Sequence, residues 1–345
     1  MIRPNALCLC FAVAVVLVWG TAGYSGMISH WSFDANTLST DGGGNITGAA
    51  EETGSHNASL GSGVGSATVA QGGPTFNSNT IPGTNSVTGQ FGEALTLTGS
   101  NTAASGGGQF LMFPNLTELM QSGGAPSYTV SLWLKTTTTN TQSFTVLSDW
   151  GNSATNPGRF AYGWGFQFTS GNPQMRGQTR TSGATSGADI YSRAPTTEGL
   201  NNGNWHMLTW TFDSTAGQLK SYFDANLVET FNSSQANGFK MWNSSSSVGT
   251  FGFKGDSGNF INGTYTLDEV WVMNHLMSAD EVQRLYQFNV IPEPASIVLA
   301  FVGAITGFAI VDSRMRKQGN KPRKAAHTES LSKCCWKRIA AVIHA

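Results

Sequence analysis

The sequence predicts an all-β protein, a sandwich or jelly roll of short antiparallel strands with one short helix near its C-terminal end. Charged residues make up only 11% of the 345, while glycine alone contributes 42. That composition suits strands and turns better than helices. Apolar residues recur at every second position in short runs, and Gly, Asn, Ser and Thr separate those runs as turn formers do. The length allows one large all-β domain or two ordinary ones.

The elements follow in chain order. "ISHWSFDAN", from Ile28, reads as the first strand. Residues 36–86 carry few large apolar side chains and are expected to be loops with one short strand. In "SYTVSLWLK", Tyr128, Val130, Leu132 and Leu134 face one way, with Thr129, Ser131, Trp133 and Lys135 opposite. In "WHMLTWTF", His206, Leu208, Trp210 and Phe212 alternate with Trp205, Met207, Thr209 and Thr211. "QLKSYFDANLVET" reads as two strands around a tight turn at Asp224-Ala225-Asn226, with Asn226 expected in the left-handed conformation. The strand "YTLDEVWVM" leads into "LMSADEVQRLY", where Ser278 and Glu281 form a capping box. Val282, Leu285 and Tyr286 give that helix its apolar side, and it is expected at the domain edge.

Charge is unevenly spread. Between Gly23 and Asn289 there are 17 acidic and 9 basic residues, whereas from Asp312 onward there are 9 basic and 2 acidic. A nucleic-acid partner calls for positive charge on the folded part, and here that part is acidic. The four cysteines, Cys8, Cys10, Cys334 and Cys335, all lie outside the expected domain. No disulfide framework is available to it.

Residues 1–22 read as a secretory signal peptide: Arg3, the apolar run Ala6 to Val18, then small residues at Gly20-Thr21-Ala22. A domain is expected over 25–289. Within 290–345, Ala295 to Val311 is an uncharged run of 17 residues, about 26 Å long as a helix and just enough to cross a bilayer core. Asp312 and a basic cluster from Arg314 to Lys324 follow, which keeps the tail cytoplasmic and the domain outside. These properties fit a permanent single-pass anchor or a label that is removed.

Pro292-Glu293-Pro294, the apolar run and the basic stop, in that order, resemble the PEP-CTERM sorting signal. The resemblance implies recognition by an exosortase in the inner membrane, a cut near the Pro-Glu-Pro, and release to the cell surface, envelope or extracellular matrix of a bacterium. This chain continues from the basic cluster to Ala345, further than such signals usually run. The segments "ISHWSFDAN", "TGSHNASL", "GQFGEALTLTGS", "YTVSLWLKT", "GNWHMLTWTFDSTAGQLKSYFDANLV" and "YTLDEVWVMNHLMSADEVQRLY" resemble, in this order, the LamG-like jelly roll of the concanavalin A-like superfamily. That resemblance spans about Ile28 to Tyr286. It departs at Ala225, where Gly is usual.

Some members of that superfamily are glycoside hydrolases, which need two carboxylates about 5–9 Å apart across the scissile bond. Asp268 and Glu269 are adjacent, so a regular strand sends them to opposite faces. Glu51-Glu52 stand in a loop, and no catalytic residue is predicted. "GDSG" at 255–258, with His206 and Asp213 or Asp224 upstream, is too compressed for a chymotrypsin-like protease, so His206 is expected to be a strand histidine. No Cys/His set has zinc spacing. The resemblance implies calcium at the rim, with Asp34 and Asp268 as candidate ligands; as edge residues they equally serve as hydrogen-bond acceptors. Trp150, Trp164 and Trp242, beside Gly or Asn in loops or strand ends, are the candidate sugar platforms. The sequence thus points to an exported, non-catalytic domain that binds carbohydrate or matrix. The alternatives are a polysaccharide hydrolase or lyase on the same scaffold and a permanently anchored surface protein.

Overall fold

The computed structural model describes residues 26–290 apart from 61–66, 69–74, 77, 101–106, 115, 120–126, 140–143, 152–161, 170–171, 180–187, 194–198, 214, 233–247 and 255–258. The expected signal peptide, the Pro292-Glu293-Pro294 motif with its apolar run, Trp242 and the "GDSG" stretch lie outside the described residues. Contacts divide the chain into two units, 1–292 and 293–345, and every described residue belongs to the first. No helix among the described residues is long and apolar enough to cross a membrane.

The strands begin with β1 (Met27–Trp31), β2 (Leu38–Thr40), β3 (Ile46–Ala49), β4 (Ala58–Ser59), β5 (Ala67–Thr68) and β6 (Thr75–Phe76). Next come β7 (Ser86–Thr88), β8 (Glu93–Ser100), β9 (Leu111–Phe113), β10 (Tyr128–Thr136), β11 (Phe144–Gly151), β12 (Tyr162–Thr169) and β13 (Asn172–Thr179). The rest are β14 (Ala188–Arg193), β15 (Trp205–Asp213), β16 (Gln218–Phe223), β17 (Asn226–Asn232), β18 (Val248–Phe251), β19 (Phe253–Lys254), β20 (Asn259–Phe260) and β21 (Asn262–Met273). One sheet runs β17-β16-β15-β10-β21-β8-β7, with β1 added beside β21. The other runs β14-β13-β12-β11-β18-β9-β4-β3-β2. Neighbours in both are antiparallel.

The two sheets form a sandwich because each contributes one apolar face to a shared core. Tyr128, Val130, Leu132 and Leu134 of β10, with Leu208, Trp210 and Phe212 of β15, meet Leu111 and Phe113 of β9, Val146 and Leu147 of β11, and Phe251 of β18. Both expected alternations therefore hold. The centre is aromatic: Trp31 packs at 4.7 Å from Phe113 and edge-on at 5.1 Å from Phe251. All three are essentially inaccessible to solvent.

The outer face of the first sheet carries a second apolar layer. Trp133, Met207, Tyr222, Trp271 and Met273 project there and are covered by Val282 and Leu285 of the helix Ala279–Phe288. The helix lies over the sheet rather than at the domain edge, because the outward alternate positions of β10, β15 and β21 are themselves apolar. Its capping box is present: Ser278 Oγ accepts from Glu281 N–H and the Glu281 carboxylate accepts from Ser278 N–H.

Two local expectations are corrected. Residues 36–86 hold β2 to β6 and the start of β7 rather than one short strand. Ile46, Ala49 and Ala58 are buried there, and strands of two to four residues give too little alternation to register as a pattern. In the β16–β17 hairpin, Phe223 pairs with Asn226, so the turn is the two residues between them. Asp224 (φ 47°) and Ala225 (φ 63°) take the left-handed conformation, while Asn226 begins the strand. Both central φ angles are positive, as the twist of a two-residue hairpin requires.

Candidate functional site

A group of ionisable side chains sits where β21 changes partners. Its residues Asn262–Leu267 pair with β8, and Val270–Met273 pair with β1. Asp268 and Glu269 fall between these two ladders. Glu269 adopts φ 49°, and the register against β10 shifts between Ser131 and Trp133. That is a bulge, and it cancels the alternation that assigned the two carboxylates to opposite faces. Asp268 stands opposite Trp133 on the outer face. Glu269 reaches His30, whose ring stacks on outward-facing Trp271 at 3.4 Å.

The notch is filled by the β7–β8 turn. Asp268 Oδ2 accepts from the N–H groups of Gln90 (2.7 Å) and Phe91 (3.0 Å). Asp34 Oδ1 accepts from Glu93 N–H at 2.9 Å, and Glu93 Oε2 accepts in return from Ala35 N–H at 2.5 Å. A side chain at Gly89 would collide with Asp268, and one at Gly92 with Asp34, which is why the turn carries glycine at both. Asp268 is fully buried, and its Oδ1 has no hydrogen-bond partner. Burial pushes its carboxyl up to about 7; the Phe91 and Gln90 N–H groups oppose the rise, while the charges of Glu269 and Asp34 add to it.

Two histidines tie the loop after β3 to β1. His30 lies between Glu269 and Glu52, with Nδ1 3.0 Å from Glu52 Oε1. His56 Nδ1 is 2.8 Å from Ser29 Oγ, and its Nε2 is 3.4 Å from Glu118. Glu51 holds the loop's own backbone, accepting from the N–H groups of Thr53, Ser55 and His56. Burial pushes the Glu51 carboxyl up, but these bonds and the Thr53 hydroxyl outweigh it and hold it below the usual range. His206 is a strand histidine in β15, held by Asp224 at 2.8 Å and Asn202 at 3.2 Å.

The structure brings Asp34 and Asp268 together around one turn. Three of the bonds they accept there come from backbone N–H groups. Among the described residues, no three His, Cys, Asp or Glu side chains gather as a metal centre. Trp150 and Trp164 lie on the neighbouring strands β11 and β12, Trp150 pairing with Gly163 and Trp164 with Asp149. Sequence reasoning missed His30, Glu52 and Glu93. The polar position of His30 within an apolar first strand was the available signal.

The Laminin_G_3 model, described as concanavalin A-like lectin/glucanases superfamily, matches residues 105–283, just over half of the chain. The chain belongs to the concanavalin A-like lectin/glucanases superfamily. A search of curated proteins finds no match. Among solved structures, this superfamily member is similar to the binding domain of botulinum neurotoxin serotype D. That match has 13% identity and a TM-score of 0.48, over 76% of this chain and 51% of the other. The chain thus spans about half the length of the neurotoxin chain it matches. It is also similar to domain 4 of AbnA, a GH43 extracellular arabinanase from Geobacillus stearothermophilus, in complex with arabinotriose. There the identity is 18% and the TM-score 0.46, over 77% of this chain and 100% of that one.

Proposed function

We propose that the chain is an exported, non-catalytic carbohydrate-binding protein of a bacterial envelope or extracellular matrix. Membership of a lectin/glucanase superfamily leaves binding and hydrolysis as the two readings. The state of the carboxylates favours binding. A hydrolase presents its acid and its base or nucleophile to substrate in a groove. Here Asp268 and Glu269 are buried, and they are spent on the N–H groups of Gln90 and Phe91 and on His30. Residues 1–22 direct export, and the Pro292-Glu293-Pro294 signal hands the domain to an exosortase. Calcium at the rim would draw on Asp34 and on Asp268, whose Oδ1 is buried without a hydrogen-bond partner.

The test is a glycan array probed with and without calcium, run beside a turnover assay on soluble polysaccharides. Retention of one glycan class with no turnover is the expected result. Turnover that disappears in Glu93→Gln would replace binding with hydrolysis. The mass of the mature protein reports separately on the ends: loss of both termini is expected, and an intact C-terminus would make the protein a permanent anchor.

A further inference from the structure

Two buried polar atoms on the outer face of the first sheet have no hydrogen-bond partner: the indole nitrogen Nε1 of Trp133 and Oδ1 of Asp268. They belong to residues directly opposite each other on β10 and β21. Opposed residues of an antiparallel pair carry their Cβ atoms about 5 Å apart on the same face. Burying either atom unsatisfied costs stability, and a native structure that keeps both calls for a reason. One hydroxyl group answers both. Its oxygen accepts from the Trp133 N–H. Its hydrogen and second lone pair let it donate to Asp268 as a carboxylate or accept from it as a carboxyl. A metal cation would satisfy the carboxylate alone and face the indole hydrogen. An anionic sugar would meet Asp268 with the charges of Glu269 and Asp34 close by.

We propose that Trp133 and Asp268 form a subsite for one hydroxyl of a neutral saccharide, entered when the β7–β8 turn lifts Phe91 away. The proposal rests on the carbohydrate-binding reading above and gives it a place and a ligand class. The surroundings suit a sugar ring. Trp133 stacks on Tyr286 of the helix at 5.3 Å and meets Phe91 edge-on at 5.8 Å, so the orphan pair is walled by aromatic rings. The cover is slight. Phe91 is half-buried and sits in the turn after β7, a three-residue strand at the sheet's edge. That turn is held by Gly89 N–H on Gly92 O at 3.0 Å and by the N–H groups of Gln90 and Phe91 on the other Asp268 oxygen. With Phe91 displaced, the apolar face of a sugar lies against the aromatic wall while its hydroxyl bridges the indole and the carboxyl. A rim calcium would use the same Asp268 oxygen, so sugar and metal are alternatives there.

The full chain, kept in EDTA, is titrated with cellotriose, xylotriose and arabinotriose while the ¹H–¹⁵N indole signals are followed. The Trp133 signal is the one absent from Trp133→Phe. One of the three is expected to bind, to shift that signal, and to show magnetisation transfer between the indole hydrogen and sugar protons. Trp133→Phe keeps the ring and loses the donor, and is expected to weaken binding about fivefold, the scale of one net hydrogen bond. Phe91→Ala removes the cover and is expected to strengthen it. If Trp133→Phe does not fold, the wild-type magnetisation transfer and Phe91→Ala decide the matter. Transfer to water alone at saturating sugar would mean that the pair holds only a buried water, and overturns the proposal. So does binding that ignores both variants, or that is lost in Trp150→Ala with the Trp133 signal unmoved; the carbohydrate-binding reading survives these results. No binding of any of the three also overturns the proposal, and a blank glycan array beside it overturns both.

Discussion

Replacing Asp268 by Asn is expected to remove a pH-dependent penalty from the fold. The carboxyl titrates near 7 in the folded state against 3.8 for the free group, with burial as the main cause. A raised folded pKa means that the native state holds the proton more tightly than the unfolded chain. Stability from this group is therefore present at low pH and is lost as pH climbs from about 4 to about 7. At about 1.4 kcal/mol per pH unit, the wild type loses about 2 kcal/mol from Asp268 between pH 5.5 and pH 8. That corresponds to a shift of about 1 M in the urea midpoint. Asn keeps the oxygen that accepts from Gln90 and Phe91 and cannot ionise, so the variant's curve lacks this component. The deciding quantity is the difference between variant and wild type measured across pH, since every other group contributes alike to both. A difference that stays constant from pH 5.5 to pH 8 would show that Asp268 does not carry a proton in the native state.

Glu51→Gln is expected to destabilise above about pH 4.5 and to have no effect well below it. The depressed folded pKa contributes stability that disappears as pH falls through it, which acid denaturation of both proteins would resolve. Gly249→Ala places a Cβ inside the ring of Phe113 at the centre of the sandwich. The overpacking is expected to cost about 1–3 kcal/mol in chemical denaturation, and Phe113→Leu in the same chain should recover part of it. Ser278→Ala removes the acceptor for Glu281 N–H and is expected to cost about 1 kcal/mol without affecting glycan retention.

The core of the fold was legible because it obeys one period. In β10 and β15 every second residue enters the same cluster, and the intervening Trp133 and Met207 enter the layer under the helix. The helix start was legible because Ser278 and Glu281 need only local spacing. The notch was not, because its geometry depends on where two partners of β21 stop. Nothing marks Glu269 as a left-handed residue: it is not glycine, and the strand around it looks continuous. The tryptophan candidates show the converse problem. Trp164 stands beside glycines on both sides, which reads as a loop, yet it falls inside β12 in register with Asp149 and Gly177. Short glycine-flanked strands are held by neighbouring ladders that single-chain periodicity does not report.

The acidic residues at this rim follow from the same geometry. A strand that serves β8 with one half and β1 with the other leaves backbone groups near the exchange point without a ladder partner. The tightly turned segment 89–93 arrives there with the N–H groups of Gln90, Phe91 and Glu93 pointing in, and buried N–H groups need acceptors. Asp268 and Asp34 supply them, and the penalty of burying a second Asp268 oxygen without a partner is reduced when it carries a proton. A calcium ion at the same place would compete for those oxygens, so binding it should loosen the 89–92 turn unless the ion uses only the unpartnered oxygen. Amide exchange at Gln90 and Phe91, measured across a calcium titration, distinguishes the two cases. Faster exchange means that capping and coordination are alternatives, and unchanged or slower exchange means that Asp268 performs both.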